Sequence, residues 1–284
     1  MSDRRFCAII LTHGRPGRIP TLDLLNKLGY TGDIMFLIDN EDATGPEYHR
    51  LYGDRVVVFD KAAEAATTDT GDLSTDRCAA VFARNASFRI AAEHGYTHFL
   101  QLDDDYLEFL HRFEDGPKLS GIEPISLDAV FDVMLNFLDD TGVSAVAFAQ
   151  GGDLLGGMNN PRWKRKVMRK AMNTWFCRSS DTWRFAGRLN DDVNAYVTLS
   201  HRGHVFLTTM YVAIKAEVTQ KSSGGMSEVY QAGGTYQKSF FTVMMAPGIA
   251  QVGMMQSKYG RLHHHVVGNA CYPKIIPESY RKSA

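Results

Sequence analysis

The chain has 284 residues, 44% of them hydrophobic, enough to bury one substantial core, which excludes a disordered or low-complexity protein. A formal net charge of -1 excludes attraction of nucleic acid by the field of the whole molecule, so any polyanion surface has to be a local patch. Cys7, Cys78, Cys177 and Cys271 are far apart and form no Cys-x-x-Cys pair, which argues against a zinc ribbon or a disulfide scaffold and for a reducing cytoplasm.

From the N-terminus, Phe6 to Leu11 is an apolar run of strand length, too short for a signal or membrane segment, so a soluble chain with no membrane partner is expected. It runs into a loop of turn-formers, Thr12-His13-Gly14-Arg15-Pro16-Gly17-Arg18. Leu22, Leu24, Leu25 and Leu28 have helical spacing, with Gly29 as the stop. Ile34 to Ile38 reads as a second strand ending in Asp39-Asn40-Glu41-Asp42, and Val56 to Phe59 as a third. This βαβ rhythm predicts a parallel sheet with ligands at the carboxyl ends of its strands. After the polar loop Thr67 to Asp72, a helix is expected from about Asp76 to His94, with Arg77, Val81, Arg84 and Phe88 on one face and Asn85 beside Arg84. Arg84 could grip a diphosphate bidentately or simply pair with an acid of the next strand.

That strand, Phe99 to Leu102, ends in Asp103-Asp104-Asp105. Adjacent carboxylates repel unless a cation or solvent shares their charge, and alternation would point Asp103 and Asp105 one way with Asp104 opposite. Such oxygens suit Mg²⁺ or Mn²⁺ holding a diphosphate; a solvated acidic turn is the plainer alternative.

Ser126 to Asp140 is the best-defined helix, with Ser126 as cap, an apolar stripe from Leu127 to Leu138 and Gly142 as terminator. A strand from Val143 to Ala149 opens into the glycine-rich Gln150 to Gly157, suited to close backbone approach or to flexibility. Arg162-Trp163-Lys164-Arg165-Lys166-Val167-Met168-Arg169-Lys170 is the densest basic run, a seat for a polyanion or a solvated helix face. Asn190, Asp191 and Asp192 open a further helix, as caps or as a general base for hydroxyl activation. His263, His264 and His265 could include a nitrogen ligand for a metal held by Asp103 and Asp105, or lie in a surface loop. No linker or repeat divides the chain.

In this order, Gly14-Arg15, Asp39, Arg84-Asn85, Asp103-Asp104-Asp105, Asp191-Asp192 and a late histidine resemble a nucleotide-sugar glycosyltransferase of the GT-A fold. Thr68-Asp69-Thr70-Gly71-Asp72, Leu102 to Tyr106, Ala147 to Asp153, Arg169 to Asn173 and Asn190 to Asn194 resemble the TET-associated glycosyltransferases of bacteriophages, over about Phe6 to Tyr280. The resemblance implies an α/β fold whose mixed, mostly parallel sheet is flanked by helices in a single large domain over 1–284, with a nucleotide-sugar half over about 1–106 and an acceptor half over about 107–284. It implies transfer of a sugar from a nucleotide sugar, expected to be a UDP-sugar, to 5-hydroxymethylcytosine in phage DNA, in the cytoplasm of the infected host. In that reading Mn²⁺ or Mg²⁺ is bound by Asp103 and Asp105 with His263 or His264. The donor is held by Thr12, Arg15, Asp39, Arg84, Asn85 and Asp104. DNA is held by Arg162, Trp163, Lys164, Arg165, Lys166, Arg169 and Lys170, and Asp191 or Asp192 is the base if transfer inverts. Two departures stand out: His13 replaces a cation in the first loop, and Asp191-Asp192 replaces the commoner Glu-Asp. The rival readings are a glycosyltransferase or nucleotidyltransferase with a glycan or other non-DNA acceptor, and a non-catalytic DNA-binding protein.

Overall fold

Apolar runs too short for a helix form the first strands: β1 (Phe6–Leu11), β2 (Asp33–Asp39), β3 (Val56–Phe59) and β4 (His98–Asp103). They lie parallel in the order β3-β2-β1-β4 in this computed structural model, which describes residues 4–217, 226–255 and 260–268. Parallel neighbours need crossovers. These are α1 (Pro20–Lys27), then α2 (Gly45–Tyr52), then α3 (Lys61–Thr67) with α4 (Val81–Glu93). Alternation along β1 sends Cys7, Ile9 and Leu11 into a core with Phe82 and Phe88 of α4, and Ala8 and Ile10 into a second core with Leu24 and Leu25 of α1. Both faces of the sheet are thus covered, and the carboxyl ends of its strands become the ligand edge.

The second half extends the same sheet. β5 (Tyr106–Asp115) and β6 (Lys118–Ile122) form a hairpin, and α5 (Leu127–Thr141), β7 (Ala145–Gln150), α6 (Pro161–Arg165), β8 (Val167–Met168) and β9 (Trp175–Arg178) follow. Then come α7 (Asp191–Ser200), β10 (Phe206–Ala216) and α8 (Met226–Met245). The ten-stranded sheet runs β3-β2-β1-β4-β9-β7-β10-β5-β6, with β8 on β10. β9 is antiparallel to both β4 and β7, and β5 to β10, while β7 and β10 are parallel. A separate ribbon of β11 (Ala250–Met255) and β12 (Arg261–Val266) packs on α8.

α5 follows its sequence signals. The Ser126 hydroxyl accepts the Ala129 N–H, and Gly142, in the left-handed conformation at φ 64°, returns its N–H to Leu138. The helix expected from Asp76 instead begins at Val81. Asp72 and Asp76 capture the backbone N–H groups of Ser74 and Cys78, at 3.2 and 2.8 Å, and these local bonds compete with helix formation. Arg77 therefore leaves the face of α4, and its Nε meets Glu41 Oε1 at 2.9 Å. The extended segment is tied down by buried Arg188, which reaches Asp72 Oδ2 at 3.0 Å and Asp76 Oδ2 at 3.3 Å. Cys7, Cys78 and Cys177 form no disulfide, and Cys271 lies outside the described residues. Among the described residues no helix is long and apolar enough to cross a membrane.

Candidate active site

A cavity of about 820 Å³ opens at the carboxyl ends of β1, β2, β4 and β7. At one end, Asp39 closes β2 and is buried against His13, whose Nδ1 lies 2.8 Å from Oδ2, and Lys61, whose Nζ lies at 3.3 Å. Burial opposes ionisation of Asp39, but the His13 bond and Lys61 outweigh it and hold the carboxyl below its usual range. The same bond raises the His13 pKa. The expected loss of a cation at position 13 is thereby reduced, because the imidazole sits beside two acids, Asp39 and Asp42.

The acidic triplet divides its work. Asp104 is buried and accepts the Thr12 hydroxyl at 2.7 Å, with Arg15 Nη1 at 3.4 Å. It therefore fastens the first loop to the end of β4. Asp103 and Asp105 both line the cavity. Burial, then the neighbouring Asp103 and Asp104 charges, push the Asp105 carboxyl up to about 7.

Arg84 lies only 5% exposed under this floor. Its Nη2 is 2.9 Å from Asp103 Oδ1 and its Nε is 2.7 Å from Asp191 Oδ2. Burial works against the charged guanidinium, but these carboxylates more than offset it and raise its pKa. Of the two readings of Arg84 the pairing with acids is what the structure has: Nε and Nη2 are taken by Asp191 and Asp103, so a bidentate grip on a diphosphate is not left to it, and only the buried Nη1 has no hydrogen-bond partner among the described residues.

Asp191 and Asp192 begin α7 and face the same cavity, with Lys238 of α8 beside them. Asn190, at the cap position in the left-handed region with φ 54°, makes no side-chain cap; its amide donates to the Lys238 carbonyl at 2.6 Å and to the Thr242 hydroxyl at 3.1 Å. Burial, then Asp191, push the Asp192 carboxyl up to about 6. Burial also raises Asp191, against the pull of Arg84.

Other expected residues lie elsewhere. Asn85 does not line the cavity; its amide clamps the backbone of Phe185, accepting its N–H at 2.8 Å and donating to its carbonyl at 3.1 Å. Asn85→Ala is expected to cost about 1–3 kcal/mol in urea unfolding, because buried backbone groups lose their partners, with nucleotide affinity of the folded protein unchanged. His263 and His264 do not line the cavity either. His264 is buried on β12, 3.4 Å from Asn190 Nδ2, and burial, then His263, lower its pKa to about 4. Among the described residues no three His, Cys, Asp or Glu side chains gather closely enough to hold a metal by themselves.

The basic run is only partly a surface. Trp163, expected to meet DNA, is 2% exposed, packs with Leu154 and Met210, and donates Nε1–H to Glu114 at 2.9 Å. It is the inward position of the short helix α6, so its ring is not available to a ligand. Lys166 lies 3.6 Å over that ring and pairs with Glu114, while Lys170 and Arg162 pair with buried Asp153. Lys164, Arg165 and Arg169 remain exposed.

Lys61 and Lys238 line the cavity without having been singled out from sequence, and Asn173, quoted only as the end of the motif Arg169 to Asn173, lines it too. The available signal for Lys238 was a lone cation ahead of the apolar run Phe240 to Met245.

A mixed, mostly parallel sheet with antiparallel β9 between β4 and β7 is a fold of the GT-A type, and its ligand edge carries paired acids and an arginine. A family model described as TET-Associated Glycosyltransferase matches residues 6–225, and the chain belongs to that family. Glucosyl-3-phosphoglycerate synthase from Mycobacterium tuberculosis with Mg²⁺ and uridine diphosphate is similar at a TM-score of 0.50 and 11% identity, covering 93% of this chain and 88% of that one. Its complex with Mn²⁺ and UDP-glucose gives 0.49 and 10% over 93% and 88%. S. aureus TarS 1–349 gives 0.40 and 12% over 74% and 60%. At these identities the likeness concerns the fold alone. No curated protein matches the chain.

Proposed function

We propose that this glycosyltransferase transfers a sugar from a UDP-sugar to the hydroxymethyl oxygen of 5-hydroxymethylcytosine in DNA, with Asp192 as general base. The observation that carries the reading is the convergence in one cavity of Asp103 and Asp105, buried Arg84 and the acid pair Asp191-Asp192. The donor set suits a divalent ion. Two cavity-lining carboxylates, one of them raised by burial and then by its acidic neighbours, completed by diphosphate oxygens, are the hard ligands Mg²⁺ and Mn²⁺ take, and no third protein ligand is required. The ion, when bound, supplies charge neutralisation to the leaving diphosphate.

The chain's own residues do the rest. Asp39, His13 and Lys61 form the nucleoside end, and Arg84, buried under Asp103 and Asp191, sets a positive charge beneath the diphosphate. As the bond between the sugar and the diphosphate breaks, the hydroxymethyl oxygen attacks the anomeric carbon and its proton passes to Asp192. A carboxyl raised to about 6 is ionised at neutral pH yet more basic than an exposed aspartate. A cytosine inside a duplex has to leave the stack to reach such a cavity. Family membership supports DNA as the acceptor, as do Lys164, Arg165 and Arg169, exposed in an otherwise nearly neutral protein.

Incubation with a panel of sugar nucleotides and hydroxymethylated DNA, followed by mass analysis of digested nucleosides, tests the reading. A hexose-sized increment on 5-hydroxymethyl-2′-deoxycytidine is expected; sugar found only on a glycan acceptor would overturn it. Neutralising Lys164 and Arg165 together is expected to shallow the log–log salt dependence of DNA binding by roughly 2, at about 0.9 for each phosphate no longer neutralised. An unchanged slope would move the DNA surface away from α6.

A further inference from the structure

Asn173 is 2% exposed, lines the cavity, and carries a side-chain amide whose Nδ2 has no hydrogen-bond partner among the described residues. An orphaned buried donor is costly, on the order of 1–3 kcal/mol, unless something that enters the cavity accepts from it. The orientation of the amide follows from its neighbours. The hydroxyl of Thr174, itself fully buried, accepts the Phe148 N–H at 2.9 Å and gives its single proton to Asn173 Oδ1 at 2.7 Å. Turning the amide over would leave that hydroxyl proton without an acceptor. Thr174 holds this arrangement from the left-handed region, φ 46°, a strained backbone for a β-branched residue. Strain and an unpaired donor at consecutive buried positions mark a place built for a ligand.

The sheet says which part of the ligand. β9 lies beside β4 on the side away from β1 and β2, so Asn173 is across the acidic triplet from Asp39 and Lys61. Gln101 of β4 pairs with Trp175 of β9, and Asp103 and Asn173 are each two residues beyond that pair in the direction of the cavity. A group reached by Asn173 therefore adjoins the diphosphate carboxylates. We propose that Asn173 is a specificity-determining residue that donates its amide N–H to a ring-substituent oxygen of the transferred sugar. With Oδ1 committed to Thr174, the position offers a donor only, so it selects a sugar that presents a hydroxyl or carbonyl lone pair there and rejects the epimer that does not.

This inference rests on the UDP-sugar reading, and its test separates the two. UDP, UDP-glucose and UDP-galactose are titrated calorimetrically with Mn²⁺ against wild type, N173D and N173A. Aspartate keeps the oxygen that Thr174 needs and replaces the donor with an acceptor, at the cost of a buried charge beside Asp103, so affinities are compared as the ratio of UDP-sugar to UDP. N173D is expected to weaken the preferred UDP-sugar by about tenfold to a hundredfold more than it weakens UDP, with a Tm below wild type from the buried charge. N173A is expected to show the same selective loss together with a lower Tm. Wild-type affinity of N173D for the UDP-sugar would overturn the proposal, as would equal weakening of UDP. A loss confined to KM for hydroxymethylated DNA would overturn it by moving the amide to the acceptor base. Wild type that binds neither UDP nor either sugar nucleotide would sink the donor reading itself, a different result from an N173D variant that is indifferent.

Discussion

Asp192→Asn is expected to slow transfer by about 10² to 10⁴ while leaving UDP-sugar affinity close to wild type, because a general base acts mainly in the transition state. The wild-type rate should rise with pH through a midpoint near 6, since the carboxyl, raised to about 6 by burial and by Asp191, has to be ionised to accept a proton. The variant should lose that limb of the profile. Asp191→Asn tests the neighbour differently, since Asp191 holds Arg84 through Nε and its loss disturbs the diphosphate side as well. NMR of the released glycosylated nucleoside is the companion measurement. Inversion is expected; retention would leave the pair to bind sugar hydroxyls, and a fully active Asp192→Asn enzyme would place the base elsewhere.

Asp103→Ala and Asp105→Ala are each expected to reduce transfer by about 10³ or more, the scale of losing several kcal/mol of charge neutralisation at the leaving group. Turnover by either variant with excess chelator present would remove the divalent ion from the reading. Asp105 adds a stability test with a definite sign. Its carboxyl is raised from 3.8 to about 7, first by burial and then by Asp103 and Asp104. The folded state therefore binds more protons than the unfolded state between roughly pH 4 and 7, and the metal-free protein loses stability as pH rises through that window. Asp105→Asn should accordingly raise Tm at pH 7.5 without metal, with the gain shrinking toward pH 4. Added Mn²⁺ should stabilise wild type and not the variant.

The parts of the fold that could be read from sequence were those whose signals are local. β1 to β4 are apolar runs that no helix could use, and α5 carries its own cap and terminator. The Asp103 and Asp191 clusters stood at element ends, where a solvated turn and a helix cap were equally open, and it took Arg84, bound to both, to join them. What escaped depends on partners distant in the chain. β10 mixes Thr208, Thr209 and Lys215 among its apolar residues and becomes a strand through pairing with β7 and β5. The β5–β6 hairpin did have a local signal, the two-residue loop Gly116-Pro117, with Gly116 at φ 55°. Trp163 in a basic run looks the same in sequence whether its ring faces DNA or Leu154, and only the packing decides. Asn85 adjoins the arginine that matters, yet its amide is spent on Phe185. The role of Asp104 as fastener of the first loop needed the approach of Thr12, in the loop after β1.

Asn190 sets a rule for which sequences can carry this site. Its backbone at φ 54° admits glycine, asparagine and aspartate with least strain, while its amide is asked to donate to the Lys238 carbonyl and the Thr242 hydroxyl at once. Glycine meets the first demand and not the second, aspartate presents acceptors where donors are needed, and serine or threonine meets neither. The position therefore tolerates fewer replacements than the acids it presents, one of which can lengthen to glutamate without changing its charge. Among chains that open a helix with two acids in this way, the neutral residue just ahead of the pair should be the more restrictive signature.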